Sequence, residues 1–197
     1  MRIEKLKLKN FRAFSHLEIS FDEQQTVVVA RNGQGKTAVL DGCAIALGTF
    51  VGAFDMGKAR HIQPNDARYT RDTGQSDKEQ QYPVEVEATI TDLSGGSLEV
   101  KRELSGPKGR TTIGAASALT DLGRQLMAQV RSQQAVTLPV IGYYGTGRLW
   151  KTHKNTQRKA VLSESRALGY EDCLTSASSF IQLQQWMRKA AQAVIQA

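Results

Sequence analysis

The stretch "TVVVARNGQGKTAVLDGCAIAL", residues 26–47, constrains the fold more than any other part of the chain. An apolar run leads into a loop with two glycines and a Lys-Thr pair, and a helix-forming segment follows. Phosphate binding at a strand-to-helix turn needs backbone N–H groups aimed inward with a helix N-terminus behind them, and glycine lets the chain curl tightly enough to supply both. Gly33 and Gly35 permit the curl, Lys36 has the reach for β- and γ-phosphates, and the Thr37 hydroxyl is placed to ligate Mg2+. Asn32, Gln34 and Ala38 complete the candidate nucleotide contacts, so ATP and Mg2+ are the expected ligands. Ala30 stands where the pattern asks for its first glycine. A negative φ there accommodates alanine, whereas a positive one costs about 1–2 kcal/mol.

The pattern around the loop gives an α/β reading. "TVVVA" lacks polar alternation, as a strand covered on both faces would. Before it, "KLKLKNF" alternates through Leu6 and Leu8, and "HLEISF" through Leu17, Ile19 and Phe21, which predicts an antiparallel pair. Residues 1–60 thus form a phosphate-loop lobe, and the polar, turn-rich residues 61–82 read as a mobile loop. Residues 83–105 predict a hairpin: Val84, Val86, Ala88 and Ile90 face one way, Leu98, Val100 and Leu104 answer them, and "DLSGGS" turns between. Within residues 110–197, Leu119, Leu122, Leu126 and Val130 stripe a helix. "VTLPVIGYYG" is a second buried-strand candidate, and "SFIQLQQWMRKAAQAVIQA" a final helix without a stop signal.

Charge is spread unevenly. Residues 1–100 hold 12 Lys and Arg against 14 Asp and Glu, and residues 101–197 hold 14 against 5, which points to an anionic partner. Between Arg148 and Lys159, the cations Arg148, Lys151, Lys154, Arg158 and Lys159 interleave with Trp150 and His153. This segment is either a nucleic-acid contact, with Trp150 stacking on an unpaired base, or a solvated loop. No apolar stretch approaches the roughly 18 residues of a membrane span. At 197 residues one domain is the default, and two widely spaced cysteines read as reduced thiols of a cytoplasmic protein.

"LKLKNFRAFSHLEISF" followed by "NGQGKT" and "VLDG" resembles the N-terminal lobe of ABC-type ATPases of the SMC, Rad50 and RecF kind. The resemblance implies a P-loop NTPase lobe with an antiparallel β-subdomain plus helices, and ATP sandwiched between the protein and a second copy of itself. It also places Asn10, Phe11 and Arg12 near the nucleotide. Two readings of Arg12 stay open, a phosphate or adenine contact and a surface charge, while Phe11 can equally be core. Gln63, Asp66 and Arg148 are further polar residues within possible reach.

A narrower resemblance runs through "YPVEVEATI", "RTTIGAA", "LPVIGYYGTGRLW" and "GYEDCLTSASSFIQLQQWM". These are similar, in this order, to segments of the ATPases of Septu and retron antiphage defence systems. That likeness implies an HNH-type nuclease as partner and, in retrons, a reverse transcriptase with its RNA-linked DNA. Three parts of an ABC-type active site are missing from the sequence. "DLSGGS" imitates the signature segment but falls between two strands, no apolar run ends in two carboxylates, and no switch histidine is placed. The chain is therefore expected to hold ATP without hydrolysing it alone, as the N-terminal half of a larger ATPase. The rival readings are a DNA-repair or chromosome-maintenance ATPase, and a module that holds nucleotide without hydrolysis.

Overall fold

The computed structural model describes residues 1–71, 78–146 and 165–175. The basic segment with Arg148, Trp150, Lys151, Lys154, Arg158 and Lys159, and the final helix, lie outside the described residues. The chain divides into two compact units, residues 1–142 with 164–174 and residues 143–163 with 175–197, where length alone suggested one. All elements below belong to the first.

Strand β1 (Arg2–Phe11) turns at Arg12 and Ala13 into β2 (Phe14–Ser20). The pair is antiparallel with Phe11 opposite Phe14. Strands β5 (Val84–Thr91) and β6 (Ser97–Leu104) form the predicted hairpin. Its turn is tied by Asp92 Oδ1, which accepts from the N–H groups of Ser94 and Gly96 at 2.8 Å each. The four strands make one sheet in the order β2-β1-β5-β6, with β5 antiparallel to β1.

Period-two patterning decides the faces. Leu6, Leu8, Val86, Ala88, Val100 and Leu104 are buried on one side. The other carries a charge ladder in which Lys9 meets Glu85 at 2.9 Å and Lys101 meets Glu85 at 2.7 Å. Helix α1 (Lys36–Ala46) packs on the apolar face. A Cβ at Gly42 would come within 2.8 Å of Leu8 Cδ2, so glycine lets helix and sheet approach this closely. The short α2 (Gly48–Val51) follows, and α3 (Ser117–Arg131) buries Leu119, Leu126 and Met127, with Leu122 and Val130 half-buried at its margin.

Three sequence expectations need correction. Residues 61–82 are not simply a mobile loop. A 3-10 turn (Pro64–Asp66) leads into β3 (Arg68–Arg71), which pairs with β4 (Lys78–Gln81). The polar composition hid two anchors: Ile62 and Ala67 are buried, and Arg12 N–H donates to the Asp66 carbonyl at 2.6 Å.

"TVVV" is not a covered strand either. Val27 is 71% and Val29 88% exposed. Asp22 Oδ1 accepts from Gln24 N–H at 2.9 Å in a tight turn after β2, which carries the chain off the sheet edge, and no described strand pairs with it. "VTLPVIGYYG" likewise forms no described strand. Its carbonyls are taken by side chains, Val136 by Arg166 and Pro139 by the Tyr170 hydroxyl, and Pro139 has no N–H to offer a ladder. Tyr170 also stacks on Phe54, with ring centroids 4.2 Å apart. Among the described residues no helix is long and apolar enough to cross a membrane.

Candidate functional site: the phosphate loop and the cleft beside it

The loop runs from Ala30 to α1, and backbone conformation shapes it. Gly33 and Gly35 have φ of 83° and 90°, the left-handed region that side chains disfavour. Gly35 is also the N-cap of α1, and no side chain caps that helix. Its first turn carries no acidic residue, so the N–H groups and positive dipole end stand uncompensated by the protein. Among the described non-glycine residues a positive φ occurs at Asn10, Arg12 and Gln133, and not at Ala30. Alanine therefore replaces the pattern's first glycine without strain.

Lys36 folds over the loop, its Nζ donating to the carbonyls of Ala30 at 2.6 Å and Arg31 at 3.0 Å. Gln34 ties the loop from within, with Arg31 N–H donating to its Oε1 at 3.2 Å. Asn32, Gly33, Gln34 and Thr37 are exposed, Gly35 and Lys36 half-buried, and Ala38 buried. The Ala38 methyl thus belongs to the core, and only its backbone N–H remains as a contact. These residues fit a nucleoside triphosphate: an ammonium, an uncapped helix N-terminus and a free-standing hydroxyl meet on one curl of backbone.

Beside the loop the β1–β2 turn closes on α1. A Cβ on Gly35 would lie 2.5 Å from Phe14 Cζ, so β2 abuts the loop itself. Phe11 is wholly buried, which settles its core reading, and Asn10 Nδ2 donates to the Pro83 carbonyl at 3.1 Å. Arg12 follows neither of the two readings alone. Its Nε donates to Asp66 Oδ1 at 2.8 Å and its Nη1 to Asp41 Oδ2. Burial works against its charge, but the two carboxylates outweigh burial and raise its pKa.

Asp41 was not singled out in the sequence, although "VLDG" contains it. It is buried on α1 and holds a second guanidinium, Arg60, at 2.6 Å through Oδ1. The strip carrying Arg60 then runs into a cleft of about 380 Å³ lined by Arg12, Ala59, Arg60, His61, Gln63, Asn65 and Asp66. Gln63 and Asp66, candidates at sequence level, meet there, while Arg148 lies outside the described residues.

A family model described as an AAA domain matches residues 5–194. The chain belongs to that family. Its fold is that of a P-loop NTPase domain with an antiparallel sheet plus helices. Among curated proteins, a DNA replication and repair protein RecF of Oceanobacillus iheyensis is 33% identical over 90 residues, 45% of this chain and 24% of that protein. A DNA double-strand break repair Rad50 ATPase of Saccharolobus solfataricus is 43% identical over 47 residues, 24% of this chain and 5% of that protein. RecF of Geobacter sulfurreducens is 37% identical over 78 residues, 40% and 21% of the two chains. The chain thus spans less than a quarter of the length of the relatives it matches. These matches bear out the resemblance read from residues 1–50.

Behind the cleft lies a residue that sequence reasoning missed. Arg102 sits on the apolar face of β6 and is wholly buried. Period-two alternation places it inward between Val100 and Leu104, and that spacing is the signal from which it could have been found. Its Nε donates to the Thr112 carbonyl at 2.9 Å, and its Nη1 to the Ile45 carbonyl at 3.1 Å, near the C-terminus of α1. Its Nη2 stands 3.1 Å from His61 Nδ1. Burial pushes its pKa down to about 10, so it stays cationic at neutral pH. Burial raises the Cys43 thiol to about 12 and the Cys173 thiol to about 11, which disfavours the thiolate form of both.

Proposed function

We propose that this chain binds ATP with Mg2+ through residues 30–38 and serves as the nucleotide-holding lobe of an ATPase that acts on DNA. One observation carries the reading. The left-handed pair Gly33 and Gly35 leads into the uncapped N-terminus of α1, and the Lys36 ammonium lies against the same loop on the Ala30 and Arg31 carbonyls. Lys36 would exchange its two carbonyl partners for β- and γ-phosphate oxygens, and Thr37 would offer its hydroxyl to Mg2+. Bound ATP supplies the phosphoanhydride to be cleaved. Arg12, anchored by Asp41 and Asp66, borders the same helix and is the candidate for a further phosphate or adenine contact.

The described residues offer no strand ending in two carboxylates to activate water: Glu171 and Asp172 follow "ALGY", but that run is a 3-10 turn and Asp172 is held by Lys58. The proposal for these residues is therefore nucleotide holding, with hydrolysis, if the assembly performs it, completed by groups beyond them. Self-association across ATP is part of the reading. The printed names of the relatives favour DNA replication and repair. A narrower reading, carried by the ordered motifs from "YPVEVEATI" onward, makes the ATPase the regulator of an HNH nuclease in antiphage defence. A reverse transcriptase and its RNA-linked DNA would be further partners.

Calorimetric titration with ATP and Mg2+ tests the shared part, and no binding at millimolar nucleotide would end it. Mass spectrometry of the native protein with its companions separates the two roles. An HNH nuclease supports defence, and a repair nuclease supports repair. Under either role the basic segment contacts nucleic acid, so Lys151→Glu with Lys154→Glu should weaken DNA or RNA binding and leave ATP binding intact.

A further inference from the structure

Strands β3 and β4 form a ribbon of their own, separate from the four-stranded sheet. Its register sorts the side chains onto two faces. Tyr69 stands opposite Gln80 and Arg71 opposite Lys78, while Arg68 faces Gln81 and Thr70 faces Glu79. The first set is turned to solvent: Tyr69, Arg71 and Lys78 are exposed, whereas Arg68, Thr70 and Gln81 are half-buried. Glu79, the acid of the two strands, falls on the other face, and Asp72 and Asp77 of the tip lie outside the described residues.

Two features of the solvent face stand out. Arg71 and Lys78 are like charges directly across the ladder, an arrangement that costs stability, and neither makes an ion pair with a described residue. Tyr69 is 53% exposed, yet its ring is held in place. Gln80 Nε2 donates to the Tyr69 hydroxyl at 2.9 Å and to the Pro64 carbonyl at 2.7 Å. Gln80 Oε1 in turn accepts from the Tyr82 hydroxyl at 3.0 Å. A ring clasped in this way is presented to solvent at little further entropic cost.

We propose that this face binds single-stranded DNA, with an unpaired base stacked on Tyr69 and flanking phosphates on Arg71 and Lys78. A polyanion relieves the repulsion between the two cations, and an exposed aromatic ring accepts the π-face of any base. Tyr69 and Arg71 are two residues apart along β3, about 7 Å, close to one nucleotide of extended backbone. The inference rests on the reading of an ATPase that acts on DNA, and it is independent of the phosphate loop and of the basic segment.

The test is fluorescence anisotropy of a labelled single-stranded oligothymidylate with the full chain, without ATP, so that the loop takes no part. Tyr69→Ala should weaken binding about tenfold, whereas Tyr69→Phe, which keeps the ring, should stay close to the parent. Arg71→Gln with Lys78→Gln should also weaken it. The slope of log affinity against log salt should then fall by about 1.4, two phosphates at about 0.7 each. Because this double variant removes a repulsion, its melting temperature should not drop, which separates a lost contact from a damaged fold.

A duplex made with the complementary strand should compete poorly, since its bases are already stacked, and equal competition overturns the proposal. Stronger competition by oligouridylate assigns the face to RNA and overturns the choice of DNA. Parental affinity in both Tyr69→Ala and the double variant overturns the ribbon site and leaves the DNA reading standing. No binding of any DNA by the parent overturns both.

Discussion

Lys36 Nζ donates to the Ala30 carbonyl at 2.6 Å, so the residue that replaces the pattern's first glycine serves the loop through its backbone. Its φ is not positive, and a methyl group there meets no conformational penalty. Ala30→Gly should accordingly leave ATP affinity within about threefold, or about 0.7 kcal/mol. Lys36→Ala removes charge-assisted hydrogen bonds to phosphate and should weaken binding by about 1.5–3 kcal/mol, tenfold or more. Calorimetry with ATP and Mg2+ measures both. Equal affinity for parent and Lys36→Ala proteins would remove the loop from the mechanism.

Gly35 carries two separable constraints, its φ of 90° and its contact with Phe14. Gly35→Ala should destabilise the chain by about 1–2 kcal/mol through the backbone alone, with the displaced Phe14 ring adding to it. Phe14→Ala in the same chain should relieve the steric part and leave the backbone part. Denaturant midpoints of the three variants decide the matter: full rescue by Phe14→Ala would show that φ costs nothing there.

What the sequence revealed follows from the physics that wrote it. The β5–β6 hairpin was legible because alternation of Val84, Val86, Ala88 and Ile90 reports a one-sided sheet, and the Asp92 turn is set by local hydrogen bonds. The loop was legible because glycine spacing encodes backbone conformation directly. "TVVV" misled, since apolar residues record a preference for burial and not the presence of a neighbouring strand. Residues 61–82 misled for the converse reason. Their order comes from long-range ties, Arg12 to Asp66 and Phe11 bridged to Ala67, that no window of local sequence contains. Arg102 broke the rule that charges stay outside, because backbone carbonyls and one imidazole, not an acid, receive it.

Asp41 joins Arg12 to Arg60 from a buried position on α1. Asp41→Asn removes the charge while nearly keeping the volume, and the two guanidinium groups then face each other across an amide. Because both arginines are partly solvated, the loss should be about 1–3 kcal/mol and not the larger figure of a fully buried pair. Thermal unfolding measures it. A stability unchanged from the parent would show that the ion pairs are ornamental.

Arg102 has no carboxylate to pair with among the described residues, yet its removal takes the donor from the Thr112 carbonyl and from His61 Nδ1, and a second donor from the Ile45 carbonyl, which keeps a backbone N–H at the end of α1. Arg102→Met should cost about 3–5 kcal/mol. Arg102→Lys should recover little of it, because a single ammonium cannot span the three directions of the guanidinium fork. Urea unfolding of the two variants checks the order, and equal stability of Arg102→Lys and parent would reduce the role to charge alone.

The Arg102–His61 contact also gives the fold a pH dependence of definite sign. The His61 pKa lies below its ordinary 6.5, through burial and then the neighbouring Arg102 charge. In the unfolded chain the ring takes up a proton as pH falls through about 6.5, whereas in the folded chain it resists until lower pH. The unfolded state therefore binds more protons in that window, and stability declines as pH falls. A protonated ring would also turn Nδ1 from acceptor to donor against Arg102. His61→Asn offers Arg102 a carbonyl oxygen and cannot titrate. Melting temperatures between about pH 7.5 and pH 5.5, above the main carboxylate range, should fall for the parent and stay flatter for His61→Asn. Parallel curves for the two proteins would show that His61 is not held neutral by the fold.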